Sequence, residues 1–399
     1  MAAVRRALLI VTIALVVVPV ARAVPLPTRL AQALAVPGNS PARSGVIAIE
    51  LPSGTPVFER NPDASLIPAS NEKLVVSYAA LVELGTTYRF RTEVLSSGYR
   101  HGATWHGDVY LKGFGDPTLS SLDLARLAVQ LKQAGIRHID GRVLGDESWF
   151  DRVRTAPGWK PSFYLFESPP LSALAVDHAV YENHIALQPA LAAAGRFRQI
   201  LKARGITSHE AWVGTASPDS YALAQVESAP LPQVLIGLDH QSDNFEAELL
   251  LKELGAEVGD GGTTAAGAAV VTRVLRAAGV PLAGVRIVDG SGLSVSDRLT
   301  PRALGTVLRL AWSDPDLRSA LMGALPVAGV SGTLEDRMER GPARGVVHAK
   351  TGTTDLASSL SGYVGNRYVF SILQNGSPVA AWPARKAQDR FATALASTL

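Results

Sequence analysis

The chain has 399 residues, 47% of them hydrophobic and 18% charged, with a formal net charge of +3. That is apolar content enough for more than one packed core, and so small a charge, with arginine dispersed along the chain, argues against nucleic acid as a partner. The absence of cysteine excludes thiol catalysis, disulfides and cysteine-held metals, and the eight histidines show no His-Glu-x-x-His spacing, so no metal or other cofactor is expected.

At the amino terminus Arg5 and Arg6 precede an apolar run from Ala7 to Ala21, and Ala21-Arg22-Ala23 satisfies the small-x-small rule for cleavage. Residues 1–23 therefore read as a secretory signal. The run is short for a membrane span, so contact with a membrane is expected only if the segment stays uncleaved. Next come two strands, residues 46–51 and 56–60, joined through Pro52-Ser53-Gly54. Ser70 then opens a helix over 71–83, in which Leu74, Val75, Tyr78, Leu81 and Val82 recur at helical spacing before Gly85. From 88 to 222 strands (90–95, 108–112, 138–145) mix with helices (121–134, 191–204). Helices follow at 231–238, 244–254, 265–278 and 301–312. The Gly-rich segment at 259–264 between them precedes no strand and reads as a loop. Strands at 345–350, 358–364 and 367–374 and an amphipathic stretch at 384–397 close the chain. The first hairpin and the last strands are expected to share one sheet. That makes a discontinuous catalytic domain of residues 24–87 and 223–399, with an α/β domain, residues 88–222, inserted between its halves.

Three short motifs lie in this frame, always in the same order: Ser70-Asn71-Glu72-Lys73, Ser242-Asp243-Asn244 and Lys350-Thr351-Gly352. Lysine is scarce, with eight in the chain, and two of them fall where these motifs need an amine. Ser70 and Lys73, three residues apart on a helix, lie on one face, so the hydroxyl can reach the amine. A serine is a poor nucleophile until its proton is taken, and a lysine takes it only when neutral, so Lys73 needs a lowered pKa. Burial and a second cation, Lys350, both push it down. Ser242 can relay a proton to the leaving amine, and Asn244 can hold Lys73 and the substrate amide. Lys350 and Thr351 suit a terminal carboxylate. The N–H groups of Ser70 and Thr353 would form an oxyanion hole, and Gly352 would leave room for substrate beside the strand.

The motif set resembles that of penicillin-binding proteins and class A β-lactamases. The likeness narrows with Gly113-Phe114-Gly115-Asp116-Pro117-Thr118-Leu119, Asp289-Gly290-Ser291-Gly292-Leu293-Ser294, Leu325-Pro326-Val327-Ala328-Gly329 and Ser359-Leu360-Ser361-Gly362-Tyr363-Val364. With these segments the chain resembles the D-alanyl-D-alanine carboxypeptidases/endopeptidases of the DacB, class C low-molecular-mass type, peptidase family S13. The resemblance implies an α+β penicillin-binding-protein/β-lactamase-like fold, an antiparallel sheet flanked by helices. It also implies removal of the terminal D-alanine from peptidoglycan stem peptides through a Ser70 acyl-enzyme, with cleavage of D,D cross-links as a further reaction, and β-lactams as inhibitors. Such a substrate lies outside the cytoplasmic membrane, in keeping with the signal segment.

Two features depart from that family. The segment from Val180 to Pro189 runs almost directly into the next helix, where a further strand-rich subdomain is expected, and Val295 follows Ser294 where a basic residue is common. Asp116, before a proline in a Gly-rich turn, reads as turn chemistry. Three rivals remain open. A class A β-lactamase needs a glutamate between the second and third motifs, whereas Glu167 precedes Ser242. A non-catalytic wall-binding homologue would have lost a motif residue, and a Ser-His-Asp esterase lacks its Gly-x-Ser-x-Gly elbow.

Overall fold

Helix α1 (Leu26–Leu34) leads into β1 (Ser44–Glu50) and β2 (Pro56–Arg60), and a tight 3-10 turn at Ala69–Asn71 opens α2 (Glu72–Glu83). This is a computed structural model that describes residues 24–399, so the expected signal segment, residues 1–23, lies outside the described residues. In β1 the side chains alternate between two cores: Val46 and Ala48 enter one, Ile47 and Ile49 the other. A strand apolar on both faces belongs inside a covered sheet.

The inserted segment builds its own core. It comprises β3 (Arg91–Ser96), β4 (Tyr99–His101), β5 (Thr104–His106), β6 (Val109–Gly113), α3 (Ser121–Gln133), β7 (His138–Asp140) and β8 (Val143–Asp146). After these come β9 (Val180–Tyr181), β10 (His184–Ile185), α4 (Pro189–Ala203), β11 (Ala211–Val213) and β12 (Tyr221–Glu227). Five strands pair in the order β11-β8-β6-β3-β12, and Val94, Leu111, Leu127 and Phe197 fill the space between this sheet and α3 and α4. The strand expected over 138–145 is two strands in two sheets. Gly141 lies so close to the Gly107 backbone that a Cβ there would meet Gly107 O at 2.2 Å, and Arg142 N donates to Asp108 Oδ1 at 2.7 Å. The chain therefore turns out of one ladder into the next. β12 runs to Glu227, paired with Arg91, so the second sheet ends five residues beyond the expected limit at 222. Between Val180 and Ile185 stands only a two-residue hairpin, with Glu182 and Asn183 at φ 50° and 63°, the left-handed pair a tight turn needs.

The chain then returns through α5 (Leu231–Leu235), a π-helical turn at Ile236–His240, α6 (Asn244–Val258), α7 (Thr264–Ala277), α8 (Pro301–Ser313) and α9 (Pro315–Ala324). It ends in β13 (Val347–Thr353), β14 (Ala357–Val364), β15 (Tyr368–Asn375) and α10 (Ala381–Ala396). The main sheet is antiparallel throughout, in the order β13-β14-β15-β1-β2. Leu30 of α1 and Phe391 of α10 cover one face; Leu74 of α2 and Leu304 of α8 cover the other. The fold is α+β, and its edge strand β13 lies against the turn that opens α2.

Candidate active site

Ala69 is fully buried and holds φ +48°, a left-handed conformation that costs a non-glycine residue on the order of 1 kcal/mol. The kink delivers Ser70 to the first turn ahead of α2. One helical turn on, Lys73 is fully buried, and its Nζ lies 3.0 Å from Ser70 Oγ, 2.8 Å from Asn244 Oδ1 and 2.8 Å from the Ser291 carbonyl oxygen. An ammonium has three N–H donors, and these three acceptors use them all. When one proton leaves, the carbonyl oxygens of Asn244 and Ser291 still demand donors. The amine lone pair can then face only Ser70, whose hydroxyl becomes the donor. Asn244 keeps its orientation because its Nδ2 donates to the Glu167 carbonyl at 2.9 Å. Ser291 keeps its own because its N–H and that of Gly290 donate to Glu248 Oε1 at 2.8 and 3.0 Å.

Burial lowers the Lys73 amine to about 8, although Asp289, Asp243, Glu248 and Asp239 all favour the ammonium. Lys350, also fully buried, is lowered to about 7 by burial and then by the charge of Lys73, with Asp239 opposing. Two cations in one dry site disfavour each other, and the first proton lost near neutrality belongs to the pair. Asp239, which accepts from Ser77 Oγ at 2.7 Å, is raised by burial to about 6. Behind Lys73, burial and mutual repulsion raise Glu72 and Asp297 well above the carboxylate range and Glu248 to about 8. Both carboxyl oxygens of Glu72 are buried without a hydrogen-bond partner. The shift toward their neutral forms spares Lys73 part of the negative charge their number suggests.

The three motifs do converge. Asn71 Nδ2 donates to the Lys350 carbonyl at 3.0 Å, and Ser70, Ser242, Asn244, Thr351 and Thr353 line one cleft of about 500 Å³. No hydrogen bond joins Ser242 Oγ to Ser70 or Lys73 among the described residues. Thr351 Oγ1 donates to Thr333 Oγ1 at 2.7 Å. Thr354 N–H bonds the Ala357 carbonyl at 2.9 Å, so antiparallel alternation turns the Thr353 N–H to the open edge of β13. Lys350, expected to meet a carboxylate, has its ammonium wholly inside the protein, donating to the Thr351 carbonyl at 3.2 Å. The exposed cation of the cleft is Arg385 of α10, whose Nη2 donates to Thr353 Oγ1 at 3.2 Å and which has no ion pair among the described residues. Gly352, expected to leave room for substrate, instead clears space on the inner side: a Cβ there would meet Ser359 Oγ at 2.2 Å and Ser70 N at 3.0 Å. Glu167, distant in sequence from the gap where a lactamase carries its glutamate, nevertheless lines the cleft. Asp116 lies apart, its Oδ1 accepting from Thr118 N and Oγ1 at 2.8 and 2.7 Å, as turn chemistry requires.

Comparison with known proteins bears on the family and the fold. The model of the "D-Ala-D-Ala carboxypeptidase 3 (S13) family" matches residues 26–188 and 184–397, the two stretches meeting at the β9–β10 hairpin. The chain is similar to the D-alanyl-D-alanine carboxypeptidase of Actinomadura sp. (strain R39), at 31% identity over 90% of this chain and 82% of that one. It is similar to the carboxypeptidase DacB of Mycolicibacterium smegmatis at 31% identity, over 96% and 87%. Among solved structures, penicillin-binding protein 4 of Haemophilus influenzae shares the fold with a TM-score of 0.81 at 22% identity, over 93% of this chain and 98% of that one. That protein has also been solved in complex with a β-lactam.

Proposed function

The chain belongs to the D-Ala-D-Ala carboxypeptidase 3 (S13) family, and from that premise we propose that it is an exported serine D,D-peptidase working through an acyl-enzyme on Ser70. The observation that carries the residue assignment is the triple coordination of Lys73 Nζ by Ser70, Asn244 and Ser291. Neutral Lys73 takes the Ser70 proton, and Oγ attacks the carbonyl of the penultimate D-alanine. The oxyanion forms between the N–H groups of Ser70 and Thr353, each such donor contributing about 3 kcal/mol to the barrier reduction. Lys73 returns the proton through Ser242 to the leaving D-alanine amine, and water then hydrolyses the ester. The terminal carboxylate of the substrate is held by Thr351, Thr353 and Arg385, with buried Lys350 supplying field from behind. The same machinery opens a D,D cross-link when the leaving amine belongs to a neighbouring stem. Peptidoglycan lies beyond the cytoplasmic membrane, and residues 1–23 carry the features of an export signal.

β-Lactams, which mimic the scissile amide and carboxylate, acylate the same serine; the Haemophilus protein with its bound β-lactam supports this. The position of Glu167 on the cleft gives a β-lactamase reading one specific observation. Yet its backbone carbonyl is what engages Asn244, and no hydrogen bond joins its carboxylate to Ser70 or Lys73 among the described residues. A long-lived penicilloyl-enzyme is therefore expected. Intact-mass spectrometry after mixing with penicillin reads this directly. Persistent mass addition that Ser70→Ala removes supports the peptidase, whereas rapid release that Glu167→Gln blocks establishes the lactamase. Purified muropeptides, analysed the same way, separate loss of one D-alanine from cross-link opening and from the inert behaviour of a wall-binding homologue.

A further inference from the structure

At the amino end of α6, on the side of the second motif turned toward the inserted segment, three side chains from two parts of the chain face one another. His178 comes from Asp177-His178-Ala179, three consecutive residues with φ of 50°, 54° and 56°. Asp177 holds this segment to α3 by accepting from Ser121 N at 3.0 Å, and the His178 ring packs on Phe245 at 5.6 Å between centroids. Its Nε2 lies 3.5 Å from Glu246 Oε1 and its Nδ1 3.8 Å from Asp243 Oδ2. One nitrogen of the ring and one oxygen of each carboxylate lie within 4.8 Å of one another.

These separations are long for hydrogen bonds. A single ion takes only one of the two ring nitrogens. The 3.5 Å from Nε2 to Glu246 Oε1 is close to the ligand-to-ligand edge of a tetrahedral site, about 3.4 Å when each ligand stands about 2.1 Å from the ion. The Asp243 carboxylate would have to close in from within the 4.8 Å that the three ligand atoms span. A second observation concerns Glu246 alone. The residue is only 6% exposed, its Oε2 is buried with no hydrogen-bond partner, and the carboxylate sits over Gly237, where a Cβ would meet Oε2 at 2.2 Å. A buried carboxylate oxygen without a donor is costly, and a cation held through Oε1, the oxygen that faces His178, would offset part of that cost for the carboxylate as a whole. Asp243 is free to contribute: Oδ1 caps α6 by accepting from Glu246 N at 2.9 Å, which leaves Oδ2 facing the histidine. The positive end of the helix dipole, about half a charge, opposes a cation here, and two carboxylates outweigh it.

We propose that His178, Asp243 and Glu246 bind one divalent transition-metal ion of the Zn2+ class, with water as the fourth ligand, beside and distinct from the cleft that holds Ser70. One imidazole with two carboxylates suits Zn2+ or Co2+ better than the all-oxygen preference of Ca2+ and Mg2+. Asp243 lies between Ser242 and Asn244, so the ion would tie the 177–179 segment to the second motif and stabilise the folded chain by mass action.

Chelator-treated protein titrated with CoCl2 and then ZnCl2 tests this. The readouts are the visible absorption of bound Co2+, metal content after gel filtration and the thermal midpoint. The expected result is one equivalent of Co2+ displaced by Zn2+, a higher midpoint, and binding weakened by about tenfold or more in both His178→Ala and Glu246→Gln. His209→Ala, which disrupts the exposed His106, Asp140 and His209 group, should bind as the parent does. Absence of stoichiometric uptake by the unaltered protein overturns the site, whatever the variants do. So does uptake unchanged in His178→Ala, or lost in His209→Ala. Circular dichroism and penicillin labelling of each variant establish that it is folded before its binding is compared.

Discussion

In the proposed mechanism Lys73 acts only in its neutral form, and the fold brings its pKa down to about 8 mainly by burial. The rate of Ser70 labelling by a fluorescent penicillin should therefore rise with pH, about tenfold per unit on the acid side, and level off above about 8. Lys73→Arg keeps a cation that does not deprotonate and should cut the rate by on the order of 100-fold or more. A rate that stays flat across neutrality in the parent removes Lys73 from the base role. Arg385 makes a separate prediction at this scale. Arg385→Ala should raise KM about tenfold, or about 1.4 kcal/mol, for a D-Ala-D-Ala peptide with a free carboxylate while leaving kcat nearly unchanged. The C-terminal amide of the same peptide should show no such rise. Equal effects on both substrates would place Arg385 in the structure of the cleft and not in carboxylate recognition. Lys73 and its hydroxyl partner were legible from spacing, because a helix puts residues three apart on one face. Ser291 was not, since it contributes a backbone carbonyl, which every residue possesses.

Elements whose apolar pattern repeats were legible to within a few residues, as α2 and β15 show; elements defined by their partners were not. β12 carries a single buried residue, Ala224, and exists because it pairs with β3 along the sheet edge. A single residue, Asp314, separates helix α9 from α8, and its side chain accepts from Asp316 N and Leu317 N. The contact of β13 with the 3-10 turn at Ser70 yields a prediction. Gly352→Ala should destabilise the protein by about 1–3 kcal/mol and sharply slow acylation at temperatures where it stays folded. Adding Ser359→Ala removes the 2.2 Å encounter but not the one at 3.0 Å with Ser70 N. Thermal stability should then recover in part while acylation stays slow. Full recovery of both would mean that Gly352 matters only for packing against β14.

Across the whole molecule, the acids packed behind Lys73 set a pH dependence of stability. Glu72, Glu248 and Asp297 have folded pKa values above their unfolded ones, so the fold favours their neutral forms. Their contribution is full below about pH 4, where the unfolded chain is also protonated, and is lost as pH rises through the folded values, about 8 for Glu248. Glu72→Gln, neutral at every pH and close in shape, should keep activity and flatten the fall in thermal midpoint between about pH 5 and 8. A steeper fall, or a protein less stable at pH 8, would mean that Glu72 is ionised in the fold.

What the sequence determined by itself was local and chemical: a serine and a lysine one helical turn apart, two further motifs in a fixed order, and strands near both ends of the chain expected to share one sheet. The tertiary structure alone decided which groups complete the site. Lys73 meets Asn244 and Ser291 across 171 and 218 residues, and Asn71 meets Lys350 across 279. Periodicity reports only on neighbours within a turn or a pleat, so partners brought together by closing a sheet from both ends of the chain leave no spacing to read. The same closure placed Arg385 on the cleft and withdrew Lys350 from it, because exposure depends on what the rest of the molecule covers.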